Sequence, residues 1–208
     1  MKYIDITRPL FEGMKVWPGD YDFKFTSSMS IRKGDNVNVG KIEMSTHTGT
    51  HLDAPYHYDE DGITIDEIPL DAVCGECLVV ETGTVSVIDE EVINTMDLKG
   101  ITKILFKTTK NEEVYNYDHF PVISEKAAIS LSEIGVQLIG TDAPSVDPLT
   151  SKSLDAHHAF KRGGVFILEG VDLHHVAAGI YDLIALPLKL EGGDGSPVRA
   201  LLKEIKRS

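Results

Sequence analysis

The stretch His47-Thr48-Gly49-Thr50-His51-Leu52-Asp53-Ala54-Pro55-Tyr56-His57 holds three of the chain's eight histidines and one aspartate. All four fall on odd numbers, so in an extended chain their side chains would share one face. Drawn out straight, the stretch would span roughly 30 Å, too far for four groups to reach one ion. The chain must therefore fold back on itself. Gly49 and the Ala54-Pro55 step are the places suited to the bends. A helical reading of His47-x-x-x-His51 would also put two imidazoles on one face. However, Thr48-Gly49-Thr50 is poor helix material, and the glutamate of the HExxH metalloprotease motif is missing. Imidazole and carboxylate at this density suit Zn²⁺ or another first-row divalent ion. Asp53, between two histidines, can offer one oxygen to each of two metals. The competing reading is a polar turn whose histidines serve caps and hydrogen bonds, and the clustering of so infrequent a residue weighs against it.

A second polar group lies downstream. Thr141-Asp142-Ala143-Pro144-Ser145-Val146-Asp147-Pro148 is a turn-rich loop after an expected strand, a common location for functional groups. His157-His158 follows, and Glu169 ends the apolar run Val165-Phe166-Ile167-Leu168. A glutamate there is either a solvated edge residue or a ligand aimed into a site, and the residues alone leave both open. His157 and Glu169 together would supply what the first cluster lacks for a second metal.

Around these clusters the chain reads as a strand-rich α/β domain, a single unit over 1–208. Residues 1–6, 22–30 and 37–45 alternate or are β-branched, with turn signals between them. Ile88–Met96 is a short helix candidate and Lys103–Thr108 a strand. Ser124 is placed to cap another helix, leading into a buried strand at Val136–Gly140. Val165–Glu169 and Leu183–Leu188 continue the apolar style. Cys74-Gly75-Glu76-Cys77 runs straight into Leu78-Val79-Val80. Without a second pair to close a zinc site, it reads as two reduced cysteines at a strand entrance.

Composition narrows the function classes. The net charge is −13, from 20 Lys plus Arg against 33 Asp plus Glu, a balance that repels phosphate backbones and anionic membrane surfaces. Neither nucleic acid nor membrane is expected as a partner. No apolar run reaches the roughly 18 residues of a membrane helix, and the start of the chain lacks a signal core, so the expected location is the cytoplasm.

The histidine-rich stretch resembles the HxGTHxDxPxH signature of the cyclase-like metal hydrolases. Within that group the chain looks most like the bacterial kynurenine formamidases. The resemblance extends through Asp5–Leu10, Val16-Trp17-Pro18-Gly19-Asp20, the 140–147 loop, Ser151-Lys152-Ser153-Leu154, Ala156-His157-His158 and Ser196–Ala200. It implies a swivelling β/β/α fold and assembly as a homodimer or homotetramer. It also implies two metals per subunit, usually Zn²⁺, with Mn²⁺ as the alternative. His47, His51 and Asp53 would bind the first ion, Asp53 bridging to the second. His157, rather than the adjacent His158, would bind the second ion, and Glu169 would contribute to both. His57 would be the proton donor and acceptor, and Trp17 would sit against the aromatic ring of an aryl formamide. The activity implied is hydrolysis of N-formyl-L-kynurenine, a step of tryptophan degradation. Gly170 stands where relatives often carry asparagine, which bears on substrate choice. Hydrolysis of another aryl or cyclic amide such as isatin is the alternative inside the enzyme class. Non-catalytic divalent-metal binding is the alternative outside it, and would leave His57 without a task.

Overall fold

The computed structural model describes residues 2–98, 100–108 and 116–205. In chain order its strands and helices are β1 (Tyr3–Asp5), β2 (Lys24–Met29), β3 (Val39–Glu43), β4 (His51–Asp53), α1 (Leu70–Val73), β5 (Cys74–Glu81), β6 (Val87–Ile88), α2 (Glu90–Asn94) and β7 (Lys103–Lys107). They continue with β8 (Val122–Ile123), α3 (Glu125–Glu133), β9 (Leu138–Thr141), α4 (Asp155–Arg162), β10 (Phe166–Glu169), β11 (Gly179–Ile184), β12 (Gly195–Pro197) and β13 (Leu201–Glu204). The architecture is the strand-rich α/β arrangement expected. A nine-stranded sheet runs in the order β1-β13-β11-β5-β7-β9-β10-β4-β12. No helix among the described residues is long and apolar enough to cross a membrane.

The middle of that sheet is parallel, β5-β7-β9-β10, and both flanks are antiparallel. Parallel strands are covered on both faces and so read as continuous apolar runs rather than alternations. Ile104, Leu105 and Phe106 of β7 are all fully buried. The two-residue period then sorts the side chains. Leu78, Ile104, Phe106, Ile139 and Ile167 pack with Ala127, Leu131, Ala156 and Phe160 of α3 and α4. Cys77, Val79, Leu105, Leu138 and Leu168 pack on the other face with Ile6, Leu52, Val73 and Val171.

Helix α3 begins where its cap requires, with the Ser124 Oγ accepting from the Ala127 amide at 3.1 Å. Helix α4 ends close against α3. A Cβ at Gly163 would stand 2.2 Å from the Ser132 Cβ, so only glycine permits the approach.

Several sequence expectations change in detail. Strands β2 and β3 occupy the expected segments but pair only with each other, outside the large sheet. The first strand starts at Tyr3, and Met1 lies outside the described residues. The expected 88–96 helix narrows to α2, capped by Asp89, because Ile88 is used in the short β6–β8 pairing. The expected Leu183–Leu188 strand is β11, which starts earlier and stops at Ile184. Pro187 lacks the amide a ladder needs and makes only an isolated bridge to Val198. Cys74 opens β5, and Cys77, fully buried within it, has its thiol pushed up to about 12 by burial. Both cysteines are free, as the strand-entrance reading expected.

Candidate metal centre

The bends foreseen in the histidine-rich stretch are where the sequence put them. Gly49 takes φ +71°, a left-handed conformation that side chains rarely adopt. The chain then runs three residues as β4. It turns again at Pro55–His57, a single 3₁₀ turn closed by the His57 amide on the Ala54 carbonyl at 2.8 Å. Gly62 lies hard against this turn, where a Cβ would be 2.3 Å from the Pro55 carbonyl carbon. Folded this way, the rings of His47 and His57 lie 3.8 Å apart, and those of His47 and His51 5.1 Å apart.

The distant residues arrive through sheet register. Strand β4 pairs antiparallel with β10, which sets His51 opposite Glu169. On its other edge β4 pairs with β12, setting Gly195 opposite Asp53. A Cβ at Gly195 would be 2.8 Å from the His47 ring, so glycine there leaves room for the imidazole. Helix α4, following the 141–148 loop, brings in His157.

Three overlapping donor clusters result, one of His47, His57 and Asp194 at the cleft wall, and two that meet at Asp53, His47 with His51 and Asp53, and Asp53 with His157 and Glu169. In each, the candidate ligand atoms lie within 4.8 Å of one another. Asp53 divides its oxygens between the latter two. Its Oδ1 is 2.9 Å from His47 Nδ1 and 3.3 Å from His51 Nε2, while its Oδ2 is 3.5 Å from His157 Nε2. Glu169 divides in the same way, Oε2 lying 3.6 Å from His51 Nε2 and Oε1 3.7 Å from His157 Nε2. Of the histidine pair in α4, His157 is buried in this cluster, whereas the His158 ring rests edge-on against Tyr58.

Each histidine has its outward nitrogen held by an acceptor. His51 Nδ1 donates to the Gly49 carbonyl at 3.0 Å. His157 Nδ1 meets Asp147 Oδ2 at 2.6 Å, and His47 Nε2 meets Asp194 Oδ2 at 3.1 Å. An acceptor at one ring nitrogen fixes the tautomer and turns the other nitrogen inward as a ligand, the usual outer support of metal-bound histidine. Asp147 is fixed in turn by the amides of Ala156 and His157 at the start of α4.

Charge in the cluster is balanced by protons. Burial works against charge on His47, but Asp194 and Asp53 outweigh it and raise the imidazole to about 10. His157 is likewise lifted against its burial to about 10, chiefly by Asp147 and Asp53. Burial disfavours the Asp53 carboxylate, yet hydrogen bonds from His157, His47 and His51 hold it well below the usual range. Burial and the neighbouring Asp53 push Glu169 up to about 7. His57 moves the other way, lowered by burial and by the charges of His47 and His157. Two buried carboxylates facing three imidazoles are a donor set that divalent cations fit, because buried charges are stable only when paired or bound to metal.

The clusters open into a cleft of about 550 Å³ lined by His47, His51, His57, His157, Glu169 and Trp17. Trp17 is half-buried and held edge-on by Tyr117 and Phe120, with ring centroids 5.7 Å and 6.3 Å away. All seven residues singled out in the sequence therefore border one site, Asp53 from beneath it. Sequence reasoning missed two carboxylates. Asp147 sat in a loop flagged only as functional ground. Asp194, in Gly192-Gly193-Asp194-Gly195, had turn chemistry as its only signal and lies 147 positions from His47. A separate group, Asp172, His174 and His175, also gathers donor atoms, but these residues do not line the cleft.

The sequence matches the Cyclase family over residues 4–148. The kynurenine formamidase of Bacillus cereus (strain ATCC 10987 / NRS 248) is 41% identical over 205 residues, covering 98% of each chain. Among solved structures, a predicted metal-dependent hydrolase from Bacillus stearothermophilus has a TM-score of 0.82 at 33% identity and covers 97% of each chain. Isatin hydrolase A from Labrenzia aggregata has a TM-score of 0.82 at 25% identity, covering 97% of this chain and 93% of that one.

Proposed function

The chain belongs to the Cyclase family, and on that premise we propose that it is a metal-dependent amidohydrolase cleaving N-formyl-L-kynurenine to L-kynurenine and formate. The observation that carries this reading is Asp53, whose two oxygens face two separate donor clusters at the floor of one cleft. The kynurenine formamidase relative aligned over almost the whole chain supports the substrate. His47, His51 and Asp53 would hold one ion, and Asp53, His157 and Glu169 the other. An all-nitrogen-and-oxygen shell suits zinc, with manganese as the alternative. When bound, the ions would supply Lewis-acid polarisation of the formyl carbonyl and activation of water.

The protein's own groups do the rest. His57 lies on the cleft wall beside His47, and its pKa is lowered chiefly by burial, which favours the neutral, proton-accepting ring. It therefore takes a proton from the attacking water and returns it to the aryl nitrogen as the C–N bond breaks. Water adds to the formyl carbon and the nitrogen leaves as the amine, so no other reactant is needed. A cleft of about 550 Å³ is within the usual range for small-molecule sites, and the Trp17 ring offers it an aromatic wall.

Replacing Trp17 by alanine is expected to raise KM more than it lowers kcat, because the ring binds ground state and transition state alike. Steady-state kinetics checks this, and unchanged parameters would reduce the ring to packing. The exposed apolar side chains Phe25, Met29, Val39 and Ile42 on the β2–β3 pair support a homodimer or homotetramer, since such patches on soluble proteins mark interaction surfaces.

Isatin hydrolase A supports a second reading, hydrolysis of a cyclic aryl amide, at lower identity. Comparison of kcat/KM for N-formyl-L-kynurenine, isatin and formanilide separates the readings. Preference for the first is the expected result, and preference for isatin would reassign the substrate.

A further inference from the structure

Asp194 enters the cleft from the turn just before β12, and three of its oxygens bear on the histidine-rich stretch. Its main-chain carbonyl accepts from the Ala54 amide at 3.0 Å, immediately before the turn that carries His57. Its Oδ1 accepts from the Thr46 hydroxyl at 2.9 Å, next to His47, which fixes the plane of the carboxylate. The remaining oxygen, Oδ2, faces two imidazoles at once. It lies 3.1 Å from His47 Nε2 and 3.8 Å from His57 Nδ1. The two rings are stacked 3.8 Å apart with their planes tilted by 35°, so one anchored oxygen sits at the edge of both.

We propose that Asp194 is a positioning residue for His57, accepting its Nδ1–H so that Nε2 is the nitrogen that exchanges the proton with water and substrate. A neutral imidazole carries one proton, and an acceptor at one nitrogen decides which nitrogen keeps it. The present 3.8 Å is longer than a hydrogen bond, and contacts of catalytic histidines commonly tighten only when substrate is bound. The carboxylate is positioned for that closure, because Thr46 holds its other oxygen and the Ala54 contact ties its backbone to the His57 turn. The inference rests on the proposed role of His57 as proton carrier. It extends that role by giving the carrier a fixed tautomer and orientation.

The test uses the zinc-loaded protein and reads the tautomer without any substrate. In ¹H–¹⁵N correlation spectra of the histidine rings, His57 is expected as the Nδ1–H tautomer in the parent protein, and this preference is lost in Asp194→Ala. An Nε2–H ring in the parent protein would overturn the proposal whatever the enzyme's substrate. Kinetics supply the second arm. With zinc in excess, so that loss of the Asp194 support of His47 does not empty the site, Asp194→Ala is expected to lower kcat by about 10–100-fold with KM little changed. Asp194→Asn, whose amide oxygen can still accept, recovers part of the loss. In a His57→Ala background the Asp194 change is expected to have no further effect. Equal losses of kcat in both backgrounds at saturating zinc would overturn the proposal and confine Asp194 to supporting His47. Loss of activity on formamides with the tautomer result intact would instead count against the substrate reading.

Discussion

The Asp53→Asn protein is expected to lose at least one of the two metal ions proposed for the site and nearly all of its turnover. The aspartate side chain is almost completely buried, and each oxygen serves a different cluster, one facing His47 and His51 and the other His157. Asparagine keeps the shape but replaces one oxygen with an NH₂ group, which is a donor only and cannot ligate a cation. It also removes the negative charge that both clusters share, so whichever way the amide turns, one site loses a ligand and both lose attraction. Metal analysis of the purified protein beside its activity checks this. Two retained ions with near-native turnover would mean that Asp53 bridges nothing.

The second large effect is expected at His57, and its signature is the opposite one. His57→Ala should lower kcat by roughly 10²–10⁴-fold, the usual contribution of general acid–base catalysis, with both ions retained and KM near its parent value. The separation follows from placement. His57 borders the cleft, stacks on His47 and gathers with His47 and Asp194 at its more open edge, but supplies no atom to either of the buried clusters that share Asp53. Full metal content with normal activity would remove it from the chemistry. Loss of metal along with activity would make it a ligand instead of a proton carrier.

The contrast between these residues and the rest of the site explains what the sequence made legible. His47, His51, Asp53 and His57 could be read together because they are local, and because Gly49 and Pro55 announce the bends that converge them. His157 and Glu169 could be suspected from chemistry, but their position depends on the antiparallel register that sets His51 opposite Glu169, and a strand does not advertise its partner. Asp194 depends on the second edge of the same short strand, where Gly195 pairs with Asp53, so nothing near it in sequence pointed to His47 or His57. The same limit governs the fold. Alternation identified β2 and β3 as strands without revealing that they stand apart from the large sheet. The apolar run at 183–188 marked β11, but the strand stops at Ile184 and Pro187 adds only an isolated bridge to Val198, so the ladder ends before the apolar residues do.

In the proposed function this cleft hydrolyses an aryl formamide by metal chemistry. The most direct test is steady-state hydrolysis of N-formyl-L-kynurenine by the purified protein, before chelation, after it, and after zinc is restored. The expected result is turnover that disappears with the chelator and returns with zinc. Turnover that persists in protein shown to be metal-free, or its absence in protein carrying two zinc ions per chain, would rule this function out.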